Sequence, residues 1–211
     1  MRWLEKLWLN ALATTALIFG QKRRALQIYR QIAALDPSDD TAASSVGNLL
    51  AELGDAPAAI EAFRALVARS PNNADAWFNL GFLLDQREDN AEAERCFRAA
   101  IGLKPKLDRA WYGLGLVLIR EGRLQEAVAA LKENTKLQPF SPYGWYQLAM
   151  TYHHLGAAGD AWRVYEHLRT FEPRYAATLK RDMEAAAPRA AHSGSSPPPS
   201  ISAKEVIATV R

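Results

Sequence analysis

Apolar positions along this chain recur on two length scales. On the short scale they fall three or four residues apart: Trp77, Leu80, Gly81 and Leu84, then Ala93, Phe97 and Ala100. That spacing puts each set on one face of a helix, with polar positions on the other side. On the long scale the whole pattern returns. Pro37, Pro71, Pro105, Pro139 and Pro173 each stand 34 residues after the one before. A fixed period of about 20–50 residues marks one supersecondary unit repeated along the chain.

Counted so that the proline stands at position 32, the units begin at Lys6, Asp40, Ala74, Asp108 and Pro142. Position 20 is alanine in all five: Ala25, Ala59, Ala93, Ala127 and Ala161. Position 8 is always very small, as Ala13, Gly47, Gly81, Gly115 and Ala149. Position 7 is Leu12, Val46, Leu80, Leu114 and Leu148, and position 24 is Tyr29, Phe63, Phe97, Leu131 and Tyr165. Positions 4, 7, 8 and 11 share a face of a first helix, and positions 20, 24 and 27 share a face of a second. The small residues let the two helices approach closely, and the large ones fill the space beside the contact. Gly20, Gly54, Gly122 and Gly156 occupy the turn between them, where a left-handed residue ends a helix cheaply. The phased proline closes the second helix.

Ala76-Trp77-Phe78-Asn79-Leu80-Gly81, followed by Ala93, Phe97, Ala100 and Pro105, resembles a tetratricopeptide repeat almost position for position. The resemblance covers residues 6–173. It implies an all-α fold: a right-handed α-solenoid of five helical hairpins spanning 6–39, 40–73, 74–107, 108–141 and 142–173. Some positions depart from the pattern. Glu88 stands where the third turn should have glycine, and Leu9, Ala16 and Ala43 fill sites that are usually aromatic or large. Asn134 occupies a small apolar site at position 27, so it should find a partner or be partly exposed, because an unpaired buried amide costs about 1–3 kcal/mol.

Each hairpin covers only its neighbours, so the array needs caps. Residues 174–186 read as a capping helix whose Tyr175, Leu179 and Met183 lie on the fifth repeat. The Ser/Pro-rich tail, 187–211, cannot bury a core and is expected to be disordered, with Ile201 to Arg211 as a candidate short motif or self-ligand. At the other end, residues 1–5 lead into a helix apolar nearly all round: Trp3, Leu4, Leu7, Trp8, Leu9, Leu12, Leu17, Ile18 and Phe19. Three readings stand: the first helix of repeat one, a membrane anchor or interfacial helix, or an export signal. The run from Leu7 to Phe19 is shorter than the roughly 20 residues needed to span a bilayer. It lacks a convincing cleavage site, yet Leu12, Ala13 and Ala25 hold the repeat phase. Even as a repeat helix, residues 3–19 keep an apolar face for a membrane surface, a partner or self-association.

Composition adds limits. Hydrophobic residues are 49% of the 211, enough for a sizeable core, and the formal net charge is only +3, with no basic stripe of the kind nucleic-acid binders carry. The short cluster Lys22-Arg23-Arg24 reads first as a solvated helix face. One cysteine, Cys96, excludes an internal disulfide. No HExxH, CxxC, Walker loop or GxSxG occurs, and His153 and His154 point about 100° apart on one helix. No enzyme, cofactor or metal is expected. The expected setting is cytoplasmic, with or without membrane attachment, in preference to export.

What the resemblance implies instead is a concave groove lined by positions 2, 5, 6, 9, 12 and 13 of the first helices. Carried onto this chain, it comprises Asn10, Ser44, Asn48, Phe78, Asn79, Phe82, Arg109, Tyr112, Leu116, Arg120, Tyr143, Tyr146, Gln147 and His153. Asparagines suit the backbone of an extended peptide, aromatics anchor apolar side chains, and Arg109 and Arg120 would hold a carboxylate. In some family members a carboxylate clamp grips the C-terminal tails of heat-shock chaperones. Its positions here are Ser44, Asn48, Asn79, Arg109 and Gly113, which lack two of the cations. The expected role is therefore a scaffold or adaptor for a peptide or protein, with a membrane-associated assembly factor or an accessory subunit of an enzyme complex as alternatives.

Overall fold

The computed structural model describes residues 2–186, so the expectation for the tail at 187–211 lies outside the described residues. Eleven helices follow one another: α1 (Arg2–Ile18), α2 (Lys22–Leu35), α3 (Asp40–Glu52), α4 (Ala56–Arg69), α5 (Ala74–Gln86), α6 (Asn90–Leu103), α7 (Asp108–Arg120), α8 (Leu124–Leu137), α9 (Pro142–His154), α10 (Ala158–Phe171) and α11 (Pro173–Ala185). They pair as five hairpins with α11 as the cap. Several helix starts are written in the sequence. Asp39, Asp55, Asn73 and Asp89 each accept a hydrogen bond from the backbone N–H three residues on, which satisfies one of the open donors of the first turn.

The close approach within each hairpin is sterically fixed. A Cβ on Gly47 would fall 2.6 Å from the Phe63 ring, and one on Gly115 would fall 2.8 Å from Leu131. The five phased alanines are buried beside these contacts. Each turn places one residue in the left-handed region: Gly20, Gly54, Gly122 and Gly156, and, in the third repeat, Glu88 at φ 62°. The side chain there works against the conformation that the other four turns get from glycine.

Trp77, Trp111 and Trp145 add a bond between repeats. Each indole N–H donates to the carbonyl of the preceding phased proline, Pro71 at 2.8 Å, Pro105 at 2.9 Å and Pro139 at 2.9 Å. Asn134 is buried and donates to the carbonyl of Asp108 at 3.0 Å, so the expected partner exists. α1 keeps the repeat phase: Leu9, Ala13 and Ala16 are buried, and Lys6 bridges Asp36 at 2.7 Å and Asp39 at 2.8 Å in the loop before α3. Among the helices, however, α1 touches only α2. At the other end, Leu179 and Met183 of α11 are buried against the fifth repeat.

Curvature can be read from which helices meet. The backbone of α3 approaches that of α5, as α5 does α7, α7 does α9 and α9 does α11, whereas among the described residues the backbones of successive second helices stay farther apart. The first helices therefore stand closer together and form the inner wall. The second helices fan outward and are laced by charge pairs one repeat apart, such as Arg64 with Glu92 at 2.6 Å and Arg98 with Glu126 at 3.1 Å. Exposed pairs of this kind contribute little each.

Candidate partner-binding groove

The inner wall divides into three stretches. At its centre, α3, α5 and α7 bring together Asn48, Asn79, Phe82 and Arg109. Asn79 donates from Nδ2 to Asn48 Oδ1 at 3.3 Å, a bond that does not use the Asn79 side-chain carbonyl or the Asn48 amide hydrogens. The exposed Arg109 guanidinium lies 4.7 Å from the centre of the Phe78 ring. Among the described residues no carboxylate pairs with it. Stacking on the ring orients the cation and leaves its donors available. Ser44 and Leu116, like Phe82, are half-buried.

Two of the aromatics expected to face a guest serve the core instead. Phe78 is 9% exposed and packs 6.1 Å from Phe97, ring to ring. Tyr112 is 8% exposed, its phenol is pushed well above the usual range by burial, and it shares a side-chain hydrogen bond with Gln147. Phe82, at 6.3 Å from Phe78, carries the aromatic surface that remains. Arg120 does hold a carboxylate, but it is this chain's own: its guanidinium pairs with the half-buried Asp85 and donates from Nε to Asn90 at 3.1 Å. Desolvation raises the Asp85 carboxyl above its ordinary range, and the Arg120 charge opposes that rise.

At the C-terminal end the cap covers the wall. Tyr146 donates its hydroxyl to Asp182 of α11 at 2.6 Å. Tyr143 meets Tyr175 of α11 edge to face at 5.6 Å, and His153 Nε2 lies 2.8 Å from the Ala186 carbonyl. At the N-terminal end Asn10 donates to the Lys6 carbonyl of its own helix at 2.9 Å. Nor is an intact carboxylate clamp built here. A Cβ on Gly113 would lie 2.6 Å from Phe97, so that position is taken up by packing and has no room for a cation. Cys96 is buried under Gly81, and burial pushes its thiol up to about 12, which removes it as a nucleophile at neutral pH. Among the described residues no cluster of His, Cys, Asp or Glu could hold a metal ion.

The hairpin array with its inward first helices defines a helical-repeat protein, and the comparisons agree. The family model described as the middle TPR-like domain of cilia and flagella-associated protein 70 matches residues 52–170, and a tetratricopeptide-repeat model matches residues 10–74. The chain belongs to the tetratricopeptide-repeat family. Solved structures share the fold. A crystal structure of MamA protein is 20% identical with a TM-score of 0.72, covering 82% of this chain and 94% of that one. MamA residues 41 to the end from Desulfovibrio magneticus RS-1 are 21% identical with a TM-score of 0.68, covering 84% and 96%. YrrB, described as a TPR protein with an unusual peptide-binding site, is 23% identical with a TM-score of 0.69, covering 80% and 88%. No curated protein matches.

Proposed function

We propose that this chain is a non-catalytic protein-interaction scaffold that holds an extended peptide segment across α3, α5 and α7. The observation that carries the reading is the Asn48–Asn79 pair beside the Arg109 cation, on a stretch of inner wall that neither the core nor the cap takes up. Amides that both donate and accept suit a peptide backbone. The adjacent guanidinium suits an acidic side chain or a terminal carboxylate, and Phe82 with Leu116 suits a neighbouring apolar side chain. YrrB, a protein of the same fold, is described as having a peptide-binding site, which supports this use of the wall. A cytoplasmic partner fits a chain with one buried thiol and no disulfide.

Tyr112 is a poor probe, since its removal would disturb the core. The test is a triple variant of exposed or half-buried groups, Asn48→Ala with Asn79→Ala and Arg109→Glu, used as bait beside the intact chain in affinity capture. Loss of specific partners with an unchanged thermal transition supports the groove. Retention of every partner by the folded variant refutes it.

A further inference from the structure

The first helix carries a second surface that the groove does not use. Leu9, Ala13 and Ala16 turn inward onto α2, but Trp3, Leu4, Leu7, Trp8 and Ile18 stand on the opposite side with Ala11. At 100° per residue these six fall within an arc of about 140°, an apolar stripe along α1 interrupted by Thr14 and Thr15 near its far end. Trp3 is 70% exposed, Trp8 62% and Ile18 76%. α1 touches no described helix but α2, so among the described residues nothing covers this side.

Beside the stripe lies a half-open cleft of about 350 Å³ lined by Leu12, Thr15, Ala16, Phe19, Gln21 and Arg24. Arg23 stands next to Arg24 at the start of α2, and both are exposed. Lys22 is paired with Glu52 at 2.8 Å, but among the described residues no carboxylate pairs with Arg23 or Arg24. The polar side chains within that arc are Thr14 and Thr15; Asn10 lies at one edge and Glu5 about 60° beyond the other.

We propose that this end of the molecule lies on an anionic lipid surface. Trp3, Leu4, Leu7, Trp8 and Ile18 sit at the boundary between headgroups and acyl chains, and Arg23 and Arg24 meet lipid phosphates. Amphipathic rings and aliphatic side chains beside unpaired cations match that interface. The cleft admits part of one acyl chain with its headgroup against Arg24. No helix among the described residues is long and apolar enough to cross a membrane. A second copy is the alternative occupant, and its signature is an oligomer in lipid-free solution.

The test uses the full chain and sedimentation with lipid vesicles. One set is phosphatidylcholine alone, and the other contains about one-third phosphatidylserine. The intact chain should sediment with the anionic vesicles, only weakly with the neutral ones, and be released by high salt. Trp8→Glu, and independently Leu4→Glu, should abolish sedimentation while leaving the thermal transition in place, since both side chains are exposed. Arg23→Gln with Arg24→Gln should weaken anionic binding about thirtyfold and leave neutral binding unchanged. Three results overturn the proposal. The first is no binding by the intact chain, and the second is equal binding by Trp8→Glu. The third is an oligomer in the absence of lipid that Trp8→Glu dissolves, which assigns the stripe to a second copy. None of these outcomes bears on the groove, whose residues are untouched.

Discussion

Alanine in place of Gly144 sets helix propensity against packing. In an open helix this change stabilises by up to about 1 kcal/mol. Gly144 lies on α9 where the fifth repeat meets the fourth, and a Cβ there would fall 2.1 Å from Asn134 Oδ1 and 3.3 Å from the Thr135 methyl. Asn134 cannot simply turn away, because it is buried and its amide is bonded to the Asp108 carbonyl. Forcing a methyl into a filled interface costs about 1–3 kcal/mol, and tearing a buried amide from its partner costs about 1–3 kcal/mol more. Against the propensity gain, the net destabilisation is near 3 kcal/mol, a fall of roughly 6–12 °C in Tm for a domain of this size. Thermal unfolding followed by circular dichroism measures it. Gly102→Ala, on α6 with nothing within 4 Å of the new Cβ, is the control and should raise Tm slightly. Adding Asn134→Ala removes the obstructing amide, so in that background Gly144→Ala should no longer destabilise. Shifts of Tm in the same direction for Gly144→Ala and Gly102→Ala would refute the steric reasoning.

Glu88→Gly should stabilise by about 1 kcal/mol, because the turn holds φ at 62° with a side chain attached; an unchanged or lowered denaturant midpoint would contradict this. Trp111→Phe keeps the ring but loses the indole bond to Pro105, and should cost about 1 kcal/mol in the same assay. Lys6 and Ser38 hold the Asp36 carboxyl at about 2, below its ordinary 3.8. A depressed carboxyl adds stability above pH 4 that is lost as pH falls from about 4 toward 2, and the Asp39 and Asp40 carboxyls are lowered too. Acid should therefore loosen the junction of repeats one and two first, seen as faster hydrogen exchange in α1 and α3, and Asp36→Asn should flatten that dependence.

The scaffold was legible because it is periodic. Close packing within each hairpin forces small residues at positions 8 and 20, and a 34-residue beat shows them even without an alignment. Asn134 was readable as an exception needing a partner, since a buried amide has few alternatives. The state of the groove residues was much less legible. The pairing of Arg120 with Asp85 and the covering of Tyr143, Tyr146 and His153 by α11 depend on how adjacent repeats lean together, and that geometry leaves no mark on any single repeat. Phe78 and Tyr112 sit at positions that face a guest by family pattern, yet both rings are drawn into the core, Phe78 against Phe97 and Tyr112 within the buried cluster of the last two repeats and the cap. One signal was available and easily missed. Tryptophan enters position 4 only from the third repeat on, each time with a proline six residues earlier to accept its N–H.

The central claim is that a peptide lies along α3, α5 and α7, and crosslinking from within the wall tests it most directly. A photoreactive residue at Asn79, and separately one at the exposed Arg95 of α6 on the outer side, would be introduced into the full chain and irradiated with captured partner bound. Adducts from position 79 with a contiguous partner segment, and none from position 95, are the predicted result. Adducts from position 95 alone, or equally from both, would place the partner elsewhere and contradict the account.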